Sequence, residues 1–416
     1  MRFAHIADCH LGAFRDIRLR EINLNAFNTA LDQCLEKNVD FIIIAGDLFD
    51  GASPDMSILN AAVKKIKHVR EAGIPIYLIY GSHDFVANET SIIDVLGSAG
   101  LFSKVVKSSY NENQQIKMEF TTDKKTGAKI VGLSGRRGGL DEKYYQQLDF
   151  SHLEKEDGFK IFVFHNAIAE FKPAHLSEMA SIPFSYLPKG FNYYAGGHVH
   201  ERFEKRTANN SMLVFPGALF GADSRDLEYN ETHERGFYIV DFKNNMIETE
   251  FCHIDMCKVT TIKYDANNKT PIEINLELNK LAADSDVQNK IVLLKVSGRL
   301  GSGKVSEIKL GAISEKIMGM GAVTVQINRA SLTAREIPVT RVIGTTREEI
   351  EQNLFVEYLA EYEKNVRQED KTLYGVSGAK LWKELTEQLK EKRDEKKKEY
   401  EDIIRKRVCK ILGIEI

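Results

Sequence analysis

Five short apolar runs in the first half of the chain each stop, at the C-terminal edge, on a residue able to bind a metal. Phe3–Ala7 leads into Asp8-Cys9-His10, Phe41–Ala45 into Gly46-Asp47, and Ile74–Tyr80 into Gly81-Ser82-His83-Asp84. Ile161–Phe164 leads into His165, and Tyr193–Ala195 into Gly196-Gly197-His198-Val199-His200. The runs are too short for helices and rich in Ile, Val, Phe and Tyr, which suits strands buried on both faces. Helical patterns separate the first three. Residues 21–37 repeat Ile22, Leu24, Phe27, Ala30, Leu31 and Cys34 near a 3.6 period. Ser53-Pro54-Asp55 opens a second helix over 54–70 that carries Ile58, Leu59, Ala62, Val63 and Ile66. Alternating strand and helix predicts a layered α/β domain. Ligands of open α/β sheets gather outside the carboxyl ends of the strands, so all five edges are expected in one crevice. In D-x-H and H-x-H, a strand period of 2 would put both side chains on one face.

Composition bounds the rest. The 416 residues are 43% hydrophobic and 28% charged, an ordinary soluble globular mix long enough for several domains. A net charge of −3 creates no global basic field. Cys9, Cys34, Cys252, Cys257 and Cys409 are scattered without a C-x-x-C pair, which argues against a disulfide framework or a zinc ribbon and for a reducing compartment. Asp8 arrives before any leader-like apolar region, and no run approaches the roughly 18 apolar residues of a membrane span, so a cytoplasmic protein without a membrane is expected. His5, midway along the first strand, reads as a core residue. His68, His152, His175, His233 and His253 lie outside any motif and read as surface residues.

The ordered series D-x-H, G-D, G-S-H-D, H and G-H-x-H resembles that of the calcineurin-like metallophosphoesterases over about the first 220 residues. Asp8-Cys9-His10-Leu11-Gly12 with Gly46-Asp47-Leu48-Phe49-Asp50 is similar to the branch that repairs DNA double-strand breaks: bacterial SbcD and its archaeal and eukaryotic relatives, the meiotic-recombination-eleven nucleases. The chain length most resembles the archaeal members. The resemblance implies a layered metallophosphoesterase β-sandwich flanked by helices, with a small α+β capping domain and a C-terminal helix pair. It implies two Mn²⁺ per subunit bridged by Asp47, one also held by Asp8, His10 and His200, the other by His165, His198 and Ser82. Metals about 3.5–4 Å apart activate a water and hold both oxygens of an in-line phosphoryl displacement. His83 then protonates the departing 3′-oxygen, with Asp84 orienting it, while Asp50 receives no part in substrate binding. The implied activity is that of a 3′–5′ double-strand exonuclease and single-strand endonuclease at DNA ends. Its implied partner is a coiled-coil ATPase of the structural-maintenance type (SbcC, or RAD-fifty). A homodimer would form through helix 54–70 (Met56, Leu59, Val63) and Thr90–Leu101 (Ile92, Ile93, Leu96). A stand-alone phosphoesterase acting on small phosphodiesters or phosphoproteins, and a scaffold without turnover, are the alternatives.

Four regions are expected: a nuclease domain over 1–255, a capping domain over 256–330 on the DNA-binding side, a linker over 331–345, and helices over 346–416. Val259–Tyr264, Ile291–Val296 and Ala322–Ile327 are the cap's strand-like runs. Gly298–Lys304 fits a phosphate loop, but Val305 stands where a hydroxyl is needed, so it reads as a glycine-rich turn. Arg299 and Lys304 there, and Arg136 and Arg137 after the strand Lys129–Leu133, are candidates for DNA-backbone contact. In the terminal helices, Ile350, Leu354, Tyr358 and Tyr362 form one stripe. Leu381, Trp382, Leu385 and Leu389, then Ile403, Ile404, Val408, Ile411 and Leu412, flank a solvated charge run over 390–399. Two helices cannot bury these stripes alone, so they are expected to meet the ATPase.

Ser82 stands where the resembled family has Asn, and its neutral hydroxyl reaches less far. One lost ligand contact is worth about 1–3 kcal/mol, or roughly 5- to 150-fold in affinity. Calorimetric Mn²⁺ titration of the metal-free protein should therefore resolve two phases, the weaker strengthened by Ser82→Asn. Two equal sites unmoved by that change would show that Ser82 substitutes adequately.

Overall fold

The computed structural model of the chain describes residues 1–84, 90–110, 115–135, 141–207 and 209–334. Beyond them it describes residues 346, 349, 350, 353, 383–385, 404–406, 408 and 409. Met1–Arg335 and Glu336–Ile416 form two compact units.

In the first unit nine strands build the frame: β1 (Arg2–Ile6), β2 (Phe41–Ala45), β3 (Ile76–Ile79), β4 (Lys129–Leu133), β5 (Lys160–His165), β6 (Tyr193–Gly197), β7 (Met212–Phe215), β8 (Gly236–Lys243) and β9 (Met246–His253). One sheet has the order β9-β8-β1-β2-β3 and ends on residues 103–104. The other runs from residues 203–206 through β7-β6-β5-β4 to residues 121–122. The pairs β1–β2, β2–β3, β4–β5, β5–β6 and β6–β7 are parallel, so their carboxyl ends leave each sheet on one edge.

Each strand of the frame serves two cores, because alternate side chains point to opposite faces. Phe3, Phe41, Ile43, Ala45, Tyr77 and Ile79 meet Ile130, Ile161, Val163, Tyr193 and Ala195 between the sheets. Phe3 stacks on Phe41 at 5.0 Å and meets Tyr193 of the opposite sheet edge-on at 5.2 Å. Ala4, Ile6, Ile42, Ile44 and Leu78 face α1 (Ile17–Glu36) and α2 (Met56–Glu71), packing on Phe27, Leu31, Cys34, Ile58, Ala62 and Ile66. Val131, Phe162, Phe164, Leu213 and Phe215 form a third core on the outer face of the second sheet. The architecture is thus a layered α/β sandwich. Helix α1 starts before the predicted residue 21 because the Asp16 carboxylate caps it, accepting the Arg18 N–H.

Residues 259–333 carry a core of their own. Parallel strands β10 (Val259–Asp265), β11 (Ile291–Arg299) and β12 (Thr324–Asn328) pack on α4 (Pro271–Asp284) and α5 (Leu310–Gly319) through Ile262, Ile274, Leu278, Leu294, Ile313 and Ile317. A capping box between Thr270 and Glu273 starts α4. The expected linker from 331 begins inside this sheet, for Leu332–Thr333 pairs with Gly298–Arg299. A two-residue strand has no periodicity to read. In the Gly298–Lys304 turn, the N–H groups of Gly298, Leu300 and Gly301 are spent on Ser331, Thr333 and Lys269 carbonyls and that of Arg299 on the Asn267 side chain, as in a turn held by its own hydrogen bonds.

In the second unit the described residues at 349, 350, 353, 383–385, 404–406, 408 and 409 are helical. Of the expected partner surface, Ile350 is exposed, Leu385 is buried, and Ile404 and Val408 are half-buried; Trp382 and the remaining positions lie outside the described residues, as do Arg136 and Arg137. The expected dimer positions need correcting. Ile93 and Leu96 are buried in this subunit, and Leu59, Val63 and Ile92 pack against its core. Met56, 75% exposed, and Val95, 54% exposed, are the apolar groups that face outward. His5 is buried as expected, bonded to Tyr193 at 3.0 Å. His152 is half-buried and bonds the Met118 carbonyl, so it is not a plain surface residue.

Phe41→Ala opens the contact between the sheets and should cost about 3–5 kcal/mol, read from the denaturant midpoint. Ile17→Ala, at a position 68% exposed, should stay within about 0.5 kcal/mol.

Candidate metal centre

Apart from His165, the last residue of β5, the side chains expected to bind metal follow strands rather than lie in them. β1 ends at Ile6 and β6 at Gly197. Asp8, His10, Asp47 and His198 have φ of 50°, 43°, 49° and 86°, in the left-handed region that costs a non-glycine residue about 1–3 kcal/mol. Strand alternation therefore does not bring Asp8 and His10 together; a left-handed turn does. Its backbone is zipped to the next loop, with Asp8 N–H on Gly46 O (3.2 Å), His10 N–H on Asp47 O (2.9 Å) and Leu11 N–H on Leu48 O (3.0 Å). Gly46, Gly81 and Gly197 have no alternative here. A Cβ at Gly46 or Gly197 would strike the His165 ring, and one at Gly81 would strike the Asp47 carboxylate.

The donors converge in three groups: Asp8, His10 and His200; Asp8, Asp47 and His165; and His10, Asp50 and His83. Three histidines share one orientation. The Nδ1 of His165 bonds the Ala45 carbonyl at 2.8 Å, that of His200 the Asp226 carboxylate at 2.8 Å, and that of His10 the Asp50 carboxylate at 3.1 Å. Each acceptor draws the ring hydrogen to Nδ1 and turns Nε2 inward, the arrangement in which imidazoles ligate metals. Nε2 of His10 faces Nε2 of His200 at 3.1 Å, and Nε2 of His165 lies 3.0 Å from Asp47 Oδ2. Mixed carboxylate and imidazole donors, buried and aimed at common points, fit divalent transition ions.

Ser82 lies beside this centre, its hydroxyl donating to Asp47 Oδ2 at 3.4 Å. The His198 backbone N–H binds both Asp8 oxygens at 2.9 and 3.1 Å, and its ring sits 5.2 Å from that of His165. His198 belongs to none of the three donor groups, although it lines the same cleft. Asp84 departs from the orienting role expected of it. Its oxygens accept the N–H groups of Leu48 (3.0 Å), Phe49 (3.0 Å) and Gly81 (3.3 Å), tying two loops together. The group beside the His83 ring is Asp50, whose carbonyl bonds His83 Nδ1 at 2.8 Å. Asp50 so connects His10 and His83, a part for which the spacing G-D-x-x-D is the one local signal. Asp226 and Arg235 had no local signal at all. Asp226 sits on α3 (Ser224–Asn230), far along the chain from His200, and Arg235 meets its carboxylate at 3.1 Å.

Burial opposes charge throughout, and particular neighbours decide the outcome. It disfavours charge on His165, but the Asp47 carboxylate outweighs it and holds the ring's pKa up at about 10. In the same way Asp226 holds His200 up at about 9. His198 is buried beside His165 and pushed down to about 3. Burial and the Asp47 charge push Asp84 up to about 6, whereas Asp47 itself is held far below the usual carboxylate range by His165 and His10 despite its burial.

A cleft of about 650 Å³ opens over these groups, reaching from Asp47, Ser82, His83, His198 and His200 to Tyr229 and His233. Residues 1–202 match the model of the calcineurin-like phosphoesterases. With the site in place, this part of the chain is a calcineurin-like metallophosphoesterase domain. The chain is 28% identical over 280 residues to DNA double-strand break repair protein Mre11 of Methanopyrus kandleri, covering 63% of this chain and 59% of that one. It is also 28% identical over 290 residues to the protein of that name from Methanococcus maripaludis, covering 67% and 73%. To the uncharacterized metallophosphoesterase YhaO of Bacillus subtilis it is 27% identical over 267 residues, covering 60% of each. The first of these alignments thus spans under two thirds of its relative's length.

Because His165 and His200 have folded-state pKa values raised above 6.5, their protons stabilise the metal-free protein fully below pH 6.5 and lose that effect as pH rises through about 9 to 10. The denaturant midpoint of metal-free protein should fall over that window. A metal must displace the same protons, so binding at pH 7 should release on the order of two, and apparent affinity should climb with pH. Calorimetry in buffers of different ionisation enthalpy reads the release; no net release would refute it.

Proposed function

We propose that the protein is a metal-dependent DNA nuclease, a 3′–5′ exonuclease on duplex ends and an endonuclease on single strands. It would act in the cytoplasm as the catalytic subunit of a double-strand break repair complex. The observation that carries the reading is the convergence of Nδ1-anchored histidines and buried carboxylates next to His83, in a domain whose similar proteins include two named for break repair. Asp8, His10 and His200 would hold one ion, and Asp47 with Ser82, His165 and His198 a second, with Mn²⁺ the proposed metal. Divalent ions there supply Lewis acidity at the phosphoryl group.

His83 supplies the proton. A carbonyl only accepts hydrogen bonds, so the bond to Asp50 O keeps a hydrogen on Nδ1 and leaves Nε2 as the atom that gains and loses a proton. From the rim of the cleft Nε2 would protonate the departing 3′-oxygen. The His83 N–H on Asp47 Oδ1, at 2.7 Å, ties acid and donor cluster into one loop. The cap over 256–330 is proposed to face DNA and the helices of 346–416 to bind an SMC-like coiled-coil ATPase. Outward-facing Met56 and Val95 favour a homodimer. The likeness to YhaO favours a second reading, a stand-alone phosphoesterase on small phosphodiesters or phosphoproteins.

End-labelled duplex and hairpin DNA with Mn²⁺, Mg²⁺ or chelator, beside a panel of small phosphodiesters, separates the two readings. Digestion of the small esters alone would remove the nuclease. On the nuclease reading, His83→Asn should lower turnover about 10²- to 10⁴-fold with Mn²⁺ content unchanged by elemental analysis. Loss of metal in that variant would make His83 a ligand instead.

A further inference from the structure

The wall of the cleft away from the metal donors is built of flat rings. Tyr229 closes α3 and His233 follows one turn later; their rings stack with centroids 4.0 Å apart and planes 12° from parallel. The stack is fixed from below. The Arg235 guanidinium lies 4.5 Å from the Tyr229 centroid, is 2% exposed, and donates to Asp226 and to the His200 carbonyl. The His233 ring is fixed in turn, with Nδ1 against Thr232 Oγ1 at 2.9 Å and the Tyr229 carbonyl at 3.3 Å. An exposed ring in a shared cleft is therefore joined, through Tyr229, Arg235 and Asp226, to the metal-site residue His200.

We propose that His233, backed by Tyr229 and Arg235, is a stacking platform for a nucleobase flanking the scissile phosphate. The proposal rests on the nuclease reading and names the part of the substrate this wall takes. Charge favours a base over a phosphate here. The wall holds the carboxylates Glu201, Asp223 and Glu228: Asp223 pairs with Arg225 at 2.6 Å, Glu228 with Lys263 and Lys295 at 2.6 and 2.8 Å, and Glu201 lies 2.6 Å from the His175 ring. The three full positive charges thus match the three carboxylates, which leaves no excess of cations to attract a phosphate, whereas a neutral base stacks on a ring whatever its sequence. The His233 ring, being a terminal layer with the other layers below it, adds a base without rearrangement of the site.

The test compares wild type, His233→Ala and His233→Trp in the full chain with Mn²⁺. Substrates are a single-stranded oligonucleotide and the same strand with abasic nucleotides flanking the cleaved bond. A stacked base is worth roughly 5- to 150-fold in affinity. His233→Ala should raise KM on the normal strand by that factor with kcat little changed, His233→Trp should restore it, and on the abasic strand all three should agree. An unchanged KM on the normal strand, or an equal rise on the abasic one, overturns the platform while the nuclease stands. Failure of wild type to cleave either strand while hydrolysing small phosphodiesters overturns the nuclease reading, and the platform with it.

Discussion

The carboxylate of Asp47 is the point through which the ends of the strands are tied. Oδ1 accepts the His83 N–H; Oδ2 meets the His165 ring and the Ser82 hydroxyl; the Asp47 carbonyl accepts the His10 N–H. Three of the other four strand edges thus bond to this residue: the first through His10, the third through Ser82 and His83, and the fourth through His165. A buried, ionised carboxylate persists only when charge and hydrogen bonds compensate its lost hydration, so the loops around it are as constrained as the ligand. Its left-handed backbone is part of the same constraint. Gly46 before it and Gly81 beside it supply the room that a side chain would fill.

That arrangement needs two sheets in contact. Asp8, Asp47 and the Ser82–His83 pair follow strands of one sheet, while His165 ends a strand of the other and His198 and His200 follow one. Packing of Phe3 and Phe41 on Tyr193 and their neighbours sets the distance between the two rows of loops. The inter-sheet core is therefore also what aligns the two halves of the centre.

Helix α3 joins the remaining parts. Asp226 orients His200, Tyr229 lies in the cleft wall, and Glu228 pairs with Lys263 of β10 and Lys295 of β11. Further bonds hold the β10–β12 sheet in the first unit: Thr324 to Asp16, Asn328 to Ser224, and Arg18 to the Val323 carbonyl. One short helix thus touches the candidate donor cluster, the cleft and the β10–β12 sheet.

Strand and helix order in the first half was legible in the sequence because burial on both faces leaves a continuous apolar run, and amphipathic helices leave a 3.6 period. The donor residues were legible for a related reason: each stands at the end of such a run, where parallel topology makes neighbours of distant segments. Their geometry was not. The left-handed turns at Asp8, His10, Asp47 and His198 look like any loop residue in one dimension. Asp84 could not be told from Asp50, since spacing places both near His83 and only the loop path decides which one faces the ring. Asp226, Arg235, Tyr229 and His233 belong to no motif, and they reach His200 and the cleft only because α3 packs beside β10 and β11 with Leu227 buried in the core of the first sheet. A sequence determines which residues can bind a metal and on which elements they stand. Which acceptor orients each imidazole depends on contacts between segments far apart in the chain, and these exist only once the two sheets have packed.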